Sequence, residues 1–190
     1  MDDRFYRRTI KLIMEPITFR TEIPADHKSV FKIIEAAFQT IEISDHKEQF
    51  LVERLRKSDA FIPELSTVAE LNDVIVGHIL LTKIKIKNVN TSFDSLALAP
   101  VSVHPDFQNK GIGSALIKEA HKRAKALGFQ SIILVGHADY YPRFGYELTS
   151  KYGIKLPFPA PEESCMIIEL NENGLKDVSG TVEYSKPFFE

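Results

Sequence analysis

The stretch from Leu96 to Val135 changes its hydrophobic period twice, and that restricts the folds open to the chain. Leu96 to Val103 (LALAPVSV) is an almost continuous apolar run, the pattern of a buried strand. From Ile112 the small and apolar residues recur at helical spacing through Ala115, Leu116, Ala120, Ala124 and Leu127, until Gly128 supplies a stop. Ser131 to Val135 (SIILV) is again a short apolar strand. Strand, helix and strand in this order predict a crossover that leaves the two strands parallel. Between the first strand and the helix stand Gln108, Asn109, Lys110, Gly111, Ile112 and Gly113, with no acidic residue before Ser114. Two glycines at a helix start let a ligand approach the backbone, while unpaired N–H groups and the positive end of the helix dipole attract an anion. The run predicts a cradle for a pyrophosphate.

The flanking sequence predicts more antiparallel pairing than parallel. Ile17 to Thr21 reads as a first strand, and Thr67–Leu71 with Val74–Ile86 as a hairpin closed at Asn72 and Asp73. Asp26 is expected to cap a helix whose apolar face is Val30, Phe31, Ile34, Ala37 and Phe38. A second helix is expected over Lys47 to Lys57, capped by Ser44 or Asp45, with Phe50, Leu51 and Leu55 inward. After the crossover come a short helix within Asp139–Phe144, strands at Tyr146–Leu148 and Cys165–Leu170, and a tail packed through Val182, Tyr184, Phe188 and Phe189. The class is α+β: a central mixed, mostly antiparallel sheet with helices on both faces. Residues 1–14 read as a basic, aperiodic extension and 15–190 as one domain.

A formal net charge of −2 gives no global attraction to nucleic acid or to an anionic membrane. Lys118, His121, Lys122, Arg123 and Lys125 fit a solvated helix face near its negative end, with Glu119 placed to pair Arg123. The single cysteine, Cys165, excludes an intramolecular disulfide and sits in an apolar run that makes it core filler. No apolar run approaches a membrane span, so a cytoplasmic protein is the default expectation. A dinucleotide site needs a third glycine where Leu116 stands, a Walker loop needs Gly-Lys-Ser/Thr where the chain has Gly113, Ser114 and Ala115, and a nucleophile elbow needs a residue between glycine and serine. The six histidines form no helical i, i+4 pair, so no metal site is expected.

The order Gln108, two residues, Gly111, one residue, Gly113 resembles the acyl-CoA signature of the GNAT acetyltransferase superfamily. Tyr141, followed by Gly145 and Tyr146 just after the strand Ser131–Val135, resembles the tyrosine element of the same superfamily. Val76, Gly77 and His78, the run Leu98–Pro105, and Gly136 add to the likeness, which covers roughly Pro16 to Leu170. The resemblance implies the acyl-CoA N-acyltransferase fold, acetyl-CoA (or coenzyme A) as co-substrate, and transfer to a primary amine by direct attack. It implies that the backbone of Gln108, Asn109, Lys110, Gly111, Ile112, Gly113 and Ser114 holds the pyrophosphate, and that Val101, Ser102 and Val103 pair with pantetheine amides. Tyr141 is then the expected general acid, with Tyr140 as fallback. Some family members carry a glutamate in the strand before the glycine turn; here that position is Ala97. The base is left among Asp94, His78, His137 and a water chain. The acceptor, a small amine or a protein amine, is open, and a homodimer is compatible with the family. A non-catalytic acyl-CoA-binding module is the alternative, against which Tyr141 argues.

Overall fold

The computed structural model describes residues 16–41 and 44–190; the expected extension at 1–14 lies outside them. Among the described residues nine strands form one sheet: β1 Thr18–Thr21, β2 Phe61–Leu71, β3 Val74–Lys87, β4 Ser92–Val103, β5 Ser131–Val135, β6 Glu147–Leu148, β7 Ile154–Lys155, β8 Cys165–Glu169 and β9 Gly180–Glu183. Their main order is β1-β2-β3-β4-β5-β8-β6, with β9 continuing the edge of β3 and β7 pairing β9. Helix α1 is His27–Phe38, α2 is Glu48–Leu55 and α3 is Ile112–Ala126. The α+β reading holds, and β4 and β5 are parallel across α3, as the period change requires.

The β2–β3 hairpin turns at Asn72 and Asp73, both in the left-handed region with φ of 52° and 59°. On one face, Ile112, Leu116, Ile117, Ala120 and Ala124 of α3 pack on Ala69, Val76, Leu81 and Leu96. Each fully buried Leu or Ile there contributes about 1.5–3 kcal/mol. Gly77 makes that seam possible, because a Cβ there would lie 3.0 Å from Leu116 Cδ1 and 3.1 Å from the Ser102 carbonyl. On the other face α1 and α2 cover Val68 and Leu80 through Val30, Ile34, Val52 and Leu55. No helix among the described residues is long and apolar enough to cross a membrane.

Several local expectations are corrected. Asp26 does not cap α1; its carboxylate takes the Ile23 N–H and the Arg20 guanidinium instead. Helix α2 is shorter than Lys47–Lys57 and follows Lys47, while Ser44 and Asp45 accept the N–H groups of His46 and Lys47. Its inward residues are Gln49, Val52 and Leu55, leaving Phe50 45 % exposed, edge-on to Phe31. In α3, Ile117 is buried and Leu127 is outside the core, since the helix ends before it. The short helix is a single 3-10 turn, Tyr141–Phe144, and Phe189 is exposed at the end of the tail.

Candidate active site: a cleft where two parallel strands part

Strands β4 and β5 pair only at Leu96–Ile132 and Ala97–Ile133. The cause lies in β4: against β3, Ile79 faces Val101 but Leu81 faces Leu98, so Ala99 and Pro100 together oppose Leu80. Such a bulge bends its strand, and proline has no N–H for a ladder. Beyond it, β4 stays with β3 while β5 runs on beside β8 to Val135 and Cys165. The strands open around a cleft of about 890 Å³. Val101 and Val103 line one side, Val135, His137, Tyr140, Tyr141 and Arg143 the other, the α3 N-terminus one end, and Phe38, Ile41, Ser44 and Glu48 close over it.

The glycine turn is built for backbone contact. Asn109 (φ 60°) and Gly111 (φ 80°) are left-handed, with Gly111 at the N-cap of α3. Alternation of left-handed residues with others turns successive N–H groups to one side, a concavity suited to an anion. A Cβ on Gly111 would meet nothing within 4 Å, and one on Gly113 nothing nearer than Tyr140 Oη at 3.5 Å. The space at the helix start is therefore open. Lys110 points away, its Nζ donating to the Asp106 carbonyl at 2.8 Å. Gln108 Nε2 donates to the Val103 carbonyl at 3.1 Å and ties turn to strand.

The tyrosines are held by one another. Tyr141 is packed edge-on to Tyr140 and to Tyr146, with centroids at 5.2 and 5.6 Å. The buried Tyr146 hydroxyl is hydrogen-bonded to His121 Nε2 on α3 at 3.0 Å, and burial holds that imidazole neutral, with its pKa lowered to about 4. Gly136 admits the ring: a Cβ there would fall 2.3 Å from Tyr141 Cε2. Burial pushes the Tyr141 phenol well above its ordinary value, with the neighbouring Tyr140 adding to it, so it stays protonated at neutral pH. The Tyr140 hydroxyl reaches Ser114 Oγ at 3.4 Å, and Arg143 lies 4.6 Å from its ring centroid.

Residues 29–146 match the Acetyltransferase (GNAT) family. The chain belongs to that family. It is 37 % identical over 118 residues, 62 % of its length, to the uncharacterized N-acetyltransferase YjhQ of Escherichia coli K12, of which the match spans 65 %. The E. coli GNAT family N-acetyltransferase YhbS, solved in complex with CoA, superposes with a TM-score of 0.83 at 22 % identity over 93 % of this chain and 96 % of that one. A Brucella melitensis GNAT family acetyltransferase in complex with acetyl-CoA superposes with a TM-score of 0.75 at 28 % identity, over 92 % and 99 %. The fold implied by the resemblance is thus the fold found, and the family is one of acyltransferases.

Of the residues the sequence singled out, Val101, Val103, Gln108, Asn109, Gly111, Ile112, Gly113, Ser114, Tyr140 and Tyr141 line the cleft, whereas Ser102 and Lys110 do not. The Ser102 side chain is buried. Among the base candidates only His137 lines the cleft. Asp94 is exposed, with Lys85 at 3.4 Å. His78 is fully buried in a separate network, Nε2 3.0 Å from Ser66 Oγ, which donates to Glu22, itself held by Arg56. Ala97 packs in the apolar cluster of Ile84, Ile133 and Ile167, a place unsuited to a carboxylate. Sequence reasoning missed Glu48, Ser44, Phe38 and Ile41, because no local pattern tells that the α1–α2 corner reaches this cleft.

Proposed function

We propose that the protein transfers an acetyl group from acetyl-CoA to a primary amine by direct attack within this cleft. The bulge at Ala99–Pro100 carries the reading, since it leaves the Val101–Val103 backbone without a strand partner on the cleft side, beside the turn at Gln108–Ser114. Backbone amides of Val101, Ser102 and Val103 accept and donate to the pantetheine amides, and the amides of Gln108, Asn109, Lys110, Gly111, Ile112, Gly113 and Ser114 hold the pyrophosphate. The open space over Gly111 and Gly113 fits that group. An N–H of Val101 or Ser102 stabilises the oxyanion that develops as the amine adds to the thioester carbonyl. The Tyr141 hydroxyl donates toward the departing sulfur; its raised pKa keeps it a donor at all physiological pH values. Tyr140 is the alternative donor. Direct attack is favoured over an acyl-cysteine route because Cys165 is buried in β8, its Sγ 3.3 Å from the Pro161 carbonyl, and burial raises its thiol pKa.

Acetyl-CoA should raise the melting temperature of the protein by mass action, and thiol release should depend on added amine. Stabilisation without amine-dependent release would favour a binding module instead, and the absence of both would refute either reading.

A further inference from the structure

The cleft has a polarity that the cofactor does not account for. Its α3 end is rich in amide N–H groups, and its lining also carries Glu48, the only carboxylate among its described lining residues. Ser44 Oγ donates to Glu48 Oε1 at 2.5 Å and fixes the side chain, while Oε2 is buried and has no hydrogen-bond partner among the described residues. A shielded carboxylate oxygen without a donor is costly, and a cationic ligand removes that cost. Arg143, the other charged residue of the lining, is committed to the Tyr140 ring and the Asp139 carbonyl.

We propose that Glu48 is the acceptor-binding carboxylate of the amine transfer read above: its carboxylate receives the acceptor's ammonium and takes one proton from it. The site is therefore selective for cationic amines over neutral or acidic ones. The proton balance closes. An ammonium loses two protons in becoming an amide; one passes through Glu48 to solvent, and the other ends on the CoA sulfur through Tyr141 as the C–N bond forms and the C–S bond breaks.

The titratable groups facing the cleft with Glu48 are His137, Tyr140, Tyr141 and Arg143. From the elements packed on α2, His46 is held on the Phe38 carbonyl and Glu190 approaches Arg54 at the far end of the helix. β4 contributes the apolar Val101 and Val103 to the cleft.

The test compares wild type with Glu48→Gln, which keeps the Ser44 acceptor, and with Ser44→Ala, which removes only the orienting hydroxyl. Substrates are alkylamines, basic amino acids and lysine peptides, each beside an acidic analogue. Expected for Glu48→Gln are unchanged stabilisation by acetyl-CoA, a 10²-fold or larger loss of kcat/KM, and a pH profile that climbs steadily toward the pKa of the amine in place of a plateau. Ser44→Ala should lose about tenfold and keep the plateau. Wild-type transfer with Glu48→Gln undiminished, or its loss with an unchanged pH profile, would overturn the role of Glu48 alone. Absence of amine-dependent transfer by the wild type would overturn the amine reading and this inference with it.

Discussion

Replacing Gly136 by alanine probes the coupling of packing to chemistry. The new Cβ would lie 2.3 Å from Tyr141 Cε2, 3.0 Å from Cδ2 and 3.2 Å from Leu134 Cδ1. To restore a 3.4 Å contact the ring must retreat by about 1.1 Å. It cannot do so freely, because Tyr140 and Tyr146 press on it edge-on and Tyr146 is anchored to His121. Overpacking of this kind costs about 1–3 kcal/mol, which for a chain of 190 residues is a fall in Tm of roughly 2–10 °C. A misplacement of about 1 Å at a reacting group can lower turnover about 10²-fold. Gly136→Ala should therefore lose about that factor in kcat while acetyl-CoA still stabilises it, since Gly111 and Gly113 are untouched. Steady-state kinetics and thermal melts should be run on Gly136→Ala, Tyr141→Phe and the double variant. If alanine acts through the Tyr141 hydroxyl, the double variant matches Tyr141→Phe to within about threefold. A single variant within twofold of wild type, or a double variant showing the product of both losses, would refute the placement of Tyr141.

Three further outcomes follow from the same structure. His78 is held neutral by burial, its pKa lowered to about 4, so the unfolded chain binds a proton the folded one refuses as pH falls from about 6.5. Stability should be level above that value and about 2 kcal/mol lower by pH 5 from this residue, and urea melts of His78→Gln should show a flatter acid limb. Glu22 adds loss of the same sign at lower pH: burial alone would raise its carboxyl, but the surrounding His78, Arg56 and Ser66 hold it below the usual range. Ala97→Glu, which introduces the carboxylate that the family resemblance leads one to expect there, should destabilise by about 3 kcal/mol or more and not raise kcat, because position 97 packs with Ile133 and Ile167; a stable, faster variant would contradict the packing. Gly180→Ala should strip the tail from the sheet, with its Cβ 2.2 Å from the Lys87 carbonyl, and increased proteolysis after residue 179 reports it.

Much of the fold was legible where one hydrophobic period repeats. Ser131–Val135 was expected and found at the same bounds, and the turn at Asn72–Asp73 carries residues that tolerate positive φ. Helix ends were less legible. Phe50 looked like a core residue, but α2 begins at Glu48 and its apolar face rotates to Val52. Asp26 looked like a cap, yet Arg20, brought near by the end of β1, competes for its carboxylate and wins with two hydrogen bonds. Strand lengths were underestimated in β2 and β4, whose outer residues pair without a continuous apolar signal.

The sequence by itself determined the crossover, the glycine turn at a helix start, and the tyrosines that follow the next strand. These are local, because a period, a left-handed residue and a capping glycine act within a few residues of one another. Only the tertiary structure decided which groups meet. A bulge parts β4 from β5, a chain of edge-on rings sets Tyr141, and folding of α1 and α2 over the cleft brings in Glu48, more than fifty residues before the glycine turn. Each depends on packing between distant segments, and burial is what turned His78 from a possible base into a neutral member of the core.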